Sequence, residues 1–125
     1  MGAAIFDRDD NLICANHNRR ELNQNPISHA EILVLEEASQ ILGTWRLEET
    51  TIAVTLEPDA MCAGAILNAR ISKLIYAAPN LKAGAAYSLY NIPQDPRLNH
   101  HVEIKDNILS HESEAILSSF FDSKR

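Results

Sequence analysis

The sequence has no apolar run approaching the roughly 20 residues a membrane-spanning helix needs, and its N-terminus lacks a basic segment followed by an apolar one. It is therefore read as having neither a membrane span nor a signal peptide. Met1-Gly2 opens like a myristoylation site, but Phe6 stands where Ser or Thr is required. Cysteine is scarce: Cys14 and Cys62 stand far apart, which excludes a disulfide framework and fits a reducing, cytoplasmic setting. A basic excess is also missing. Asp and Glu outnumber Lys and Arg 17 to 11, for a net charge of -6. Phosphate contacts supply most non-specific nucleic-acid affinity, so such a partner would have to be met by a local basic patch. No repeat, low-complexity stretch or linker divides the 125 residues. They are read as a single domain, 1–125, long enough to bury roughly two-thirds of its unfolded surface without staples.

What is present is a patterned α/β chain. Ala3 to Phe6 and Leu12 to Ala15 are short apolar runs around the polar segment Asp7-Arg8-Asp9-Asp10-Asn11, which predicts a β-hairpin. Arg19 to Pro26 is polar and Asn-rich and predicts loop. Ser28 to about Leu42 predicts a helix. Ser28 and Glu31 have capping-box spacing, Ile32, Leu35, Ala38 and Leu42 recur on one face, and Gly43 ends it. Ile52 to Leu56 suits a buried strand, Asp59 to Arg70 a second helix and Leu74 to Ala77 a strand parallel to the previous one. Residues 79–96, with Pro79, Gly84, Pro93 and Pro96, predict loop with one short helical turn. His101 to Ile104 suits a fifth strand and Ser110 to Phe121 a final helix. The expected architecture is a three-layer α/β/α domain with a mixed central sheet.

Two segments carry chemistry: Ser28-His29-Ala30-Glu31-Ile32, and Glu57 through Ala65 with Asp59 and Cys62 inside it. Each opens a helix, and in α/β sheets such helix starts gather at one crevice. One imidazole and two anionic side chains can hold zinc and leave a position for water, whose pKa the metal lowers to about 7. His29, Asp59 and Cys62 are the candidate ligands, and Glu31 is a non-ligand carboxylate able to move protons. Each also has a plainer reading. Glu31 could serve a capping box, Asp59 could be a helix N-cap after Pro58, and Cys62 could be a small buried apolar residue. Asn18 could be a turn residue. Cys14 is read as core, and His17, His100, His101 and His111 as surface or hydrogen-bonded histidines.

The His-x-Glu…Pro-x-x-x-Cys pattern resembles the His-x-Glu…Pro-Cys-x-x-Cys signature of the zinc nucleobase deaminases. Within them the chain is most similar to the tRNA adenosine deaminases. The likeness runs through Asn18-Arg19, His29-Ala30-Glu31-Ile32, Thr55-Leu56-Glu57-Pro58 and Met61-Cys62-Ala63-Gly64-Ala65. It continues in Lys82-Ala83-Gly84-Ala85-Ala86, Asn99-His100 with Val102-Glu103, and Leu117 with Phe120-Phe121. The resemblance implies a cytidine-deaminase-like fold and a hydrolase converting adenosine to inosine in a tRNA anticodon stem-loop. It also implies a homodimer and a bound Zn2+. By the same resemblance His29, Asp59 and Cys62 hold zinc, and Glu31 passes a proton from water to the adenine ring. Asn18, Ala30, Asn80 and Lys82 bind substrate, with residues 80–86 lining the RNA groove.

The chain departs from that pattern at named positions. Asp59 stands for the first motif cysteine, which keeps the formal charge but lengthens the side chain by one bond and replaces a soft ligand with a harder one. Asn80 stands where an aspartate is usual and His17 where an aromatic ring is common. The chain starts almost at its first strand, so a helix of the family is expected to be missing there, and an uncovered apolar face would invite association. Two rivals stay open: a silent paralogue, motivated by Asp59, and a deaminase of free bases or nucleosides such as guanine or cytosine, motivated by the acidic charge.

Overall fold

A computed structural model describes residues 1–105. The described chain contains five strands: β1 (Gly2–Phe6), β2 (Leu12–His17), β3 (Thr51–Leu56), β4 (Lys73–Ala78) and β5 (Glu103–Lys105). Its helices are α1 (Arg20–Asn23), α2 (Ala30–Leu42) and α3 (Ala60–Asn68), with a 3-10 turn at Ile92–Gln94. The strands form one sheet in the order β2-β1-β3-β4-β5. β1 is antiparallel to both β2 and β3, whereas β3–β4 and β4–β5 are parallel, so the sheet is mixed as expected.

The hairpin turn is set by Asp7, whose Oδ1 accepts from the amides of Asp9 and Asn11, both at 2.9 Å. Register then places Ala3 opposite Val54, Ile5 opposite both Cys14 and Ile52, Ile52 opposite Leu74 and Val54 opposite Tyr76. These side chains share one face, because strand residues alternate sides. They are buried in one core with Ala30, Val34, Leu35 and Ala38 of α2 and with Ile66 and Leu67 of α3. The two helices pack on each other and on this face, which brings their N-termini together beyond the C-terminal edge of β3.

Several local expectations are corrected. α2 begins at Ala30 with His29 as N-cap, and no side chain caps it. Ser28 instead closes the preceding loop: its Oγ accepts from Asn23 Nδ2 at 3.4 Å and its carbonyl from the Arg19 amide at 2.9 Å. The His29 amide donates to Ile27 O at 2.7 Å, so no capping box forms. The buried stripe of α2 is Ala30, Glu31, Val34, Leu35 and Ala38; Ile32 is half-buried and Leu42 is exposed. The 19–26 segment is not all loop but contains α1. The final helix expected over 110–121, with the resemblance at 117 and 120–121, lies outside the described residues, and so does His111.

Candidate metal centre and active site

α2 and α3 each deliver their site residues from the first turn. Pro58 ends the β3 trace and Asp59 is the N-cap of α3, its Oδ1 accepting from the Cys62 amide at 2.9 Å. Its other oxygen, Oδ2, lies 3.5 Å from His29 Nδ1. Cys62 Sγ lies 3.5 Å from the same nitrogen. One ligand-type atom from each of His29, Asp59 and Cys62 lies within 4.8 Å of the others. Bonds of about 2.0–2.3 Å at tetrahedral angles put neighbouring N, O and S donors about 3.3–3.6 Å apart, so the two measured separations suit a tetrahedral divalent ion such as zinc. The N-cap and ligand readings of Asp59 are thus compatible, since one carboxylate oxygen serves each.

Glu31 is 1% exposed, and neither carboxylate oxygen has a hydrogen-bond partner. A buried carboxylate left without a donor is expensive. Burial pushes its pKa up, only partly opposed by its own backbone amide, Cys62 and His29. Burial also pushes the Cys62 thiol up, and the Glu31 and Asp59 carboxylates push it further. A bound divalent cation reverses this logic, because a coordinating thiol is deprotonated outright. The donor set, its spacing and the orphaned carboxylate all fit such an ion, and no second cluster of this kind occurs among the described residues.

The remaining candidates are placed more loosely. Asn18 Oδ1 accepts from the Arg20 amide at 2.9 Å, a turn contact that leaves its Nδ2 free to donate. Ala30 is fully buried at the start of α2. Asn80 shapes its own loop, its Oδ1 accepting from the Ala83 amide at 3.1 Å. Lys82 is exposed and has no ion-pair partner among the described residues. Cys14 is core, its Sγ 3.3 Å from Val34 O. His17 and His100 each contact a backbone carbonyl, at 3.1 and 2.8 Å.

Glu57 escaped the sequence reading. It is fully buried, and its carboxylate accepts from the amides of Asn80, Ala86, Tyr87 and Ser88 and from Ser88 Oγ. Burial would raise its pKa, but the donors from Ser88, Tyr87 and Asn80 outweigh it and hold the group below its ordinary value. The only sequence signal was an acidic residue at the end of an apolar strand, with Gly84 many residues later.

Comparison with known proteins agrees with this geometry. A family model described as MafB19-like deaminase matches residues 1–125. A tRNA-specific adenosine deaminase of Bacillus subtilis (strain 168) is 43% identical over 118 residues, covering 94% of this chain and 73% of that protein. The protein of the same description from Haemophilus influenzae is 37% identical over 125 residues, covering 100% and 72%. A structure solved in studies of A-to-I editing by tRNA:A34 deaminases superposes with a TM-score of 0.82 at 36% identity, covering 92% and 83%. A guanine deaminase from Nitrosomonas europaea superposes at 0.69 and 25% identity, covering 95% of this chain and 71% of that one. A mixed five-stranded sheet flanked by helices, two helix starts meeting around a potential metal triad, and identity above 35% across nearly all of the chain place this protein in the tRNA-specific adenosine deaminase family of MafB19-like deaminases.

Proposed function

We propose that this chain is a zinc-dependent hydrolase that converts adenosine to inosine in a tRNA anticodon loop. The observation that carries the reading is the meeting of His29, Asp59 and Cys62 beside the buried, unpartnered carboxylate of Glu31. His29, Asp59 and Cys62 would hold zinc, which when bound would supply the Lewis acidity that makes water nucleophilic near neutral pH. Glu31 takes the proton from the attacking water and delivers it to the ring nitrogen of adenine. The water oxygen bonds C6, Glu31 carries that oxygen's remaining proton to the amino group, the C6–N bond breaks and ammonia leaves, and the oxygen becomes the carbonyl of inosine. A carboxylate raised by burial suits both halves of this transfer. Asn18 Nδ2 hydrogen-bonds the base, Ala30 takes part in substrate binding, and Asn80 and Lys82 meet the RNA. The base must leave its stack to reach the metal, which an anticodon loop permits.

The tRNA partner is supported by the relatives' described activity. A homodimer is supported by an apolar groove lined by Ile32, Leu35 and Ala65 and rimmed by the exposed Trp45. No helix among the described residues is long and apolar enough to cross a membrane, which accords with a cytoplasmic tRNA enzyme.

The test is inosine formation on an anticodon stem-loop, with and without added zinc, beside free adenosine, guanine and cytosine. Zinc-dependent inosine formation on the stem-loop, removed in Glu31→Ala while zinc content is kept, is the expected result. The superposition on a guanine deaminase and the net charge of -6 favour the free-base rival, and turnover of guanine alone would select it. Absence of all turnover in zinc-loaded protein would select the silent paralogue.

A further inference from the structure

We propose that Glu57 is a positioning residue that pins the 80–88 loop as a rigid platform for unpaired RNA bases beside the metal centre. The inference rests on the tRNA reading above and adds to it a residue that positions the RNA-facing loop.

Glu57 follows β3 directly and is buried two residues before the candidate ligand Asp59. Its Oε1 accepts from the Asn80 amide at 3.1 Å and from Ser88 Oγ at 2.5 Å. Its Oε2 accepts from three successive amides, Ala86 at 3.1 Å, Tyr87 at 2.8 Å and Ser88 at 2.9 Å. Successive amides converging on one point form an anion-binding concavity, and here the chain's own carboxylate fills it. The clamp is doubled by backbone: Ala85 N donates to Pro58 O at 2.8 Å and Glu57 N to Ala78 O at 2.8 Å. Gly84 is required by the same packing, because a Cβ there would collide with the Glu57 carboxyl and with Asn80 O.

Such an arrangement is more than the fold needs. A buried carboxylate must recover its desolvation cost through donors, and a surface loop is ordinarily left mobile. What the anchor fixes is a surface that stands exposed among the described residues: Leu81 is 76% exposed, Tyr87 75% and, just beyond the loop, Tyr90 60%. Exposed aromatic rings on a stiff backbone stack unpaired bases without a large ordering cost, and Lys82 on the same loop can meet phosphate. Since Glu57 and Asp59 belong to one short segment, the anchor also sets the distance between this platform and the metal.

The test uses the zinc-loaded full chain and three variants, Glu57→Gln, Gly84→Ala and Ser88→Ala. Zinc content, affinity for a labelled anticodon stem-loop, and kcat and KM on that stem-loop are measured. The glutamine turns one acceptor oxygen into a donor facing donors, and the alanine wedges the same contact from the loop side. Both should weaken stem-loop affinity and raise KM roughly tenfold or more, the scale of a buried hydrogen bond left unmade. Kcat should change far less than KM, and zinc should be retained. Ser88→Ala removes one of the five donors, so its shift should be in the same direction but smaller, and it carries the test together with Gly84→Ala if Glu57→Gln does not fold. Parental affinity in the variants that fold, a fall in kcat at constant KM, or loss of zinc would overturn the assignment. A parent that neither binds nor deaminates the stem-loop would instead overturn the tRNA reading, and this inference with it.

Discussion

Asp59 shows how one side chain can hold two roles. Its Oδ1 caps α3 through the Cys62 amide while Oδ2 faces His29. A cysteine at this position would offer a softer ligand but a poor cap, and capping residues contribute about 1 kcal/mol. Asparagine keeps the cap and removes the charge. Asp59→Asn should therefore leave the melting temperature of the metal-free protein unchanged and lower zinc affinity at least tenfold, near the range seen when a ligand's support is removed. Asp59→Cys should do the reverse, gaining zinc affinity while the metal-free protein loses stability. Calorimetry and competitive zinc titration check both, and equal zinc affinity in all three proteins would remove Asp59 from the centre. Cys14 makes the opposite case, a cysteine with no chemistry. Burial, aided by the Glu37 charge, pushes its thiol up to about 11. The raised value keeps the neutral thiol through the physiological range, and only thiolate reacts with alkylating agents. At pH 8 iodoacetamide should leave Cys14 unmodified in the folded protein and label it in denaturant. Rapid labelling of folded protein at Cys14 would contradict the burial argument.

Among the elements, α2 best separates what pattern reveals from what it hides. Its existence and its C-terminus were legible: Gly43 takes φ 70, the left-handed conformation that ends helices, and its amide bonds Ser39 O. Its N-terminus was misread because Ser28 and Glu31 have capping-box spacing, yet Ser28 is held by Asn23 and Arg19 from the loop before it. Glu31 caps nothing and is buried as an unpartnered carboxylate. The apolar pattern was right for Leu35 and Ala38, which are buried, but not for Ile32, which lines the groove, or for Leu42, which is exposed; Ala30, Glu31 and Val34 complete the buried stripe. Gly43 offers a direct check of the element. No atom lies within 4 Å of where its Cβ would be, so Gly43→Ala meets no clash and reports conformational strain alone. It should destabilise the protein by about 1–2 kcal/mol in urea unfolding while leaving zinc binding intact. A neutral result would mean that the C-cap relaxes out of the left-handed region.

At the scale of the whole molecule, one face of the sheet is sealed by α2 and α3, while apolar side chains remain outside the packed core at the helix ends. Ile41 is 61% exposed, and Trp45 is 58% exposed with the Arg46 guanidinium 5.1 Å from its ring centre. Exposed apolar side chains of this kind suit an association surface, in which aromatic anchors dominate the energetics. Sedimentation should show a dimer for the parent and a monomer for Trp45→Glu at the same concentration. A monomeric parent would discard the proposed homodimer.

The sequence by itself determined what depends on residue type and short spacing: the hairpin, the βαβ order, the helix stop at Gly43, and the candidacy of His29 with Glu31 and of Asp59 with Cys62, each pair within its own segment. Those features are local, and a few neighbouring residues suffice to specify them. Only the tertiary structure decided which oxygen of Asp59 caps and which faces His29, and that the buried Glu31 carboxylate has no hydrogen-bond partner. The Glu57 anchor too belongs to the fold, because its donors come from residues 23 to 31 positions away. No periodicity or motif records contacts at that separation; they exist only once β3, α3 and the loop after β4 have been packed side by side.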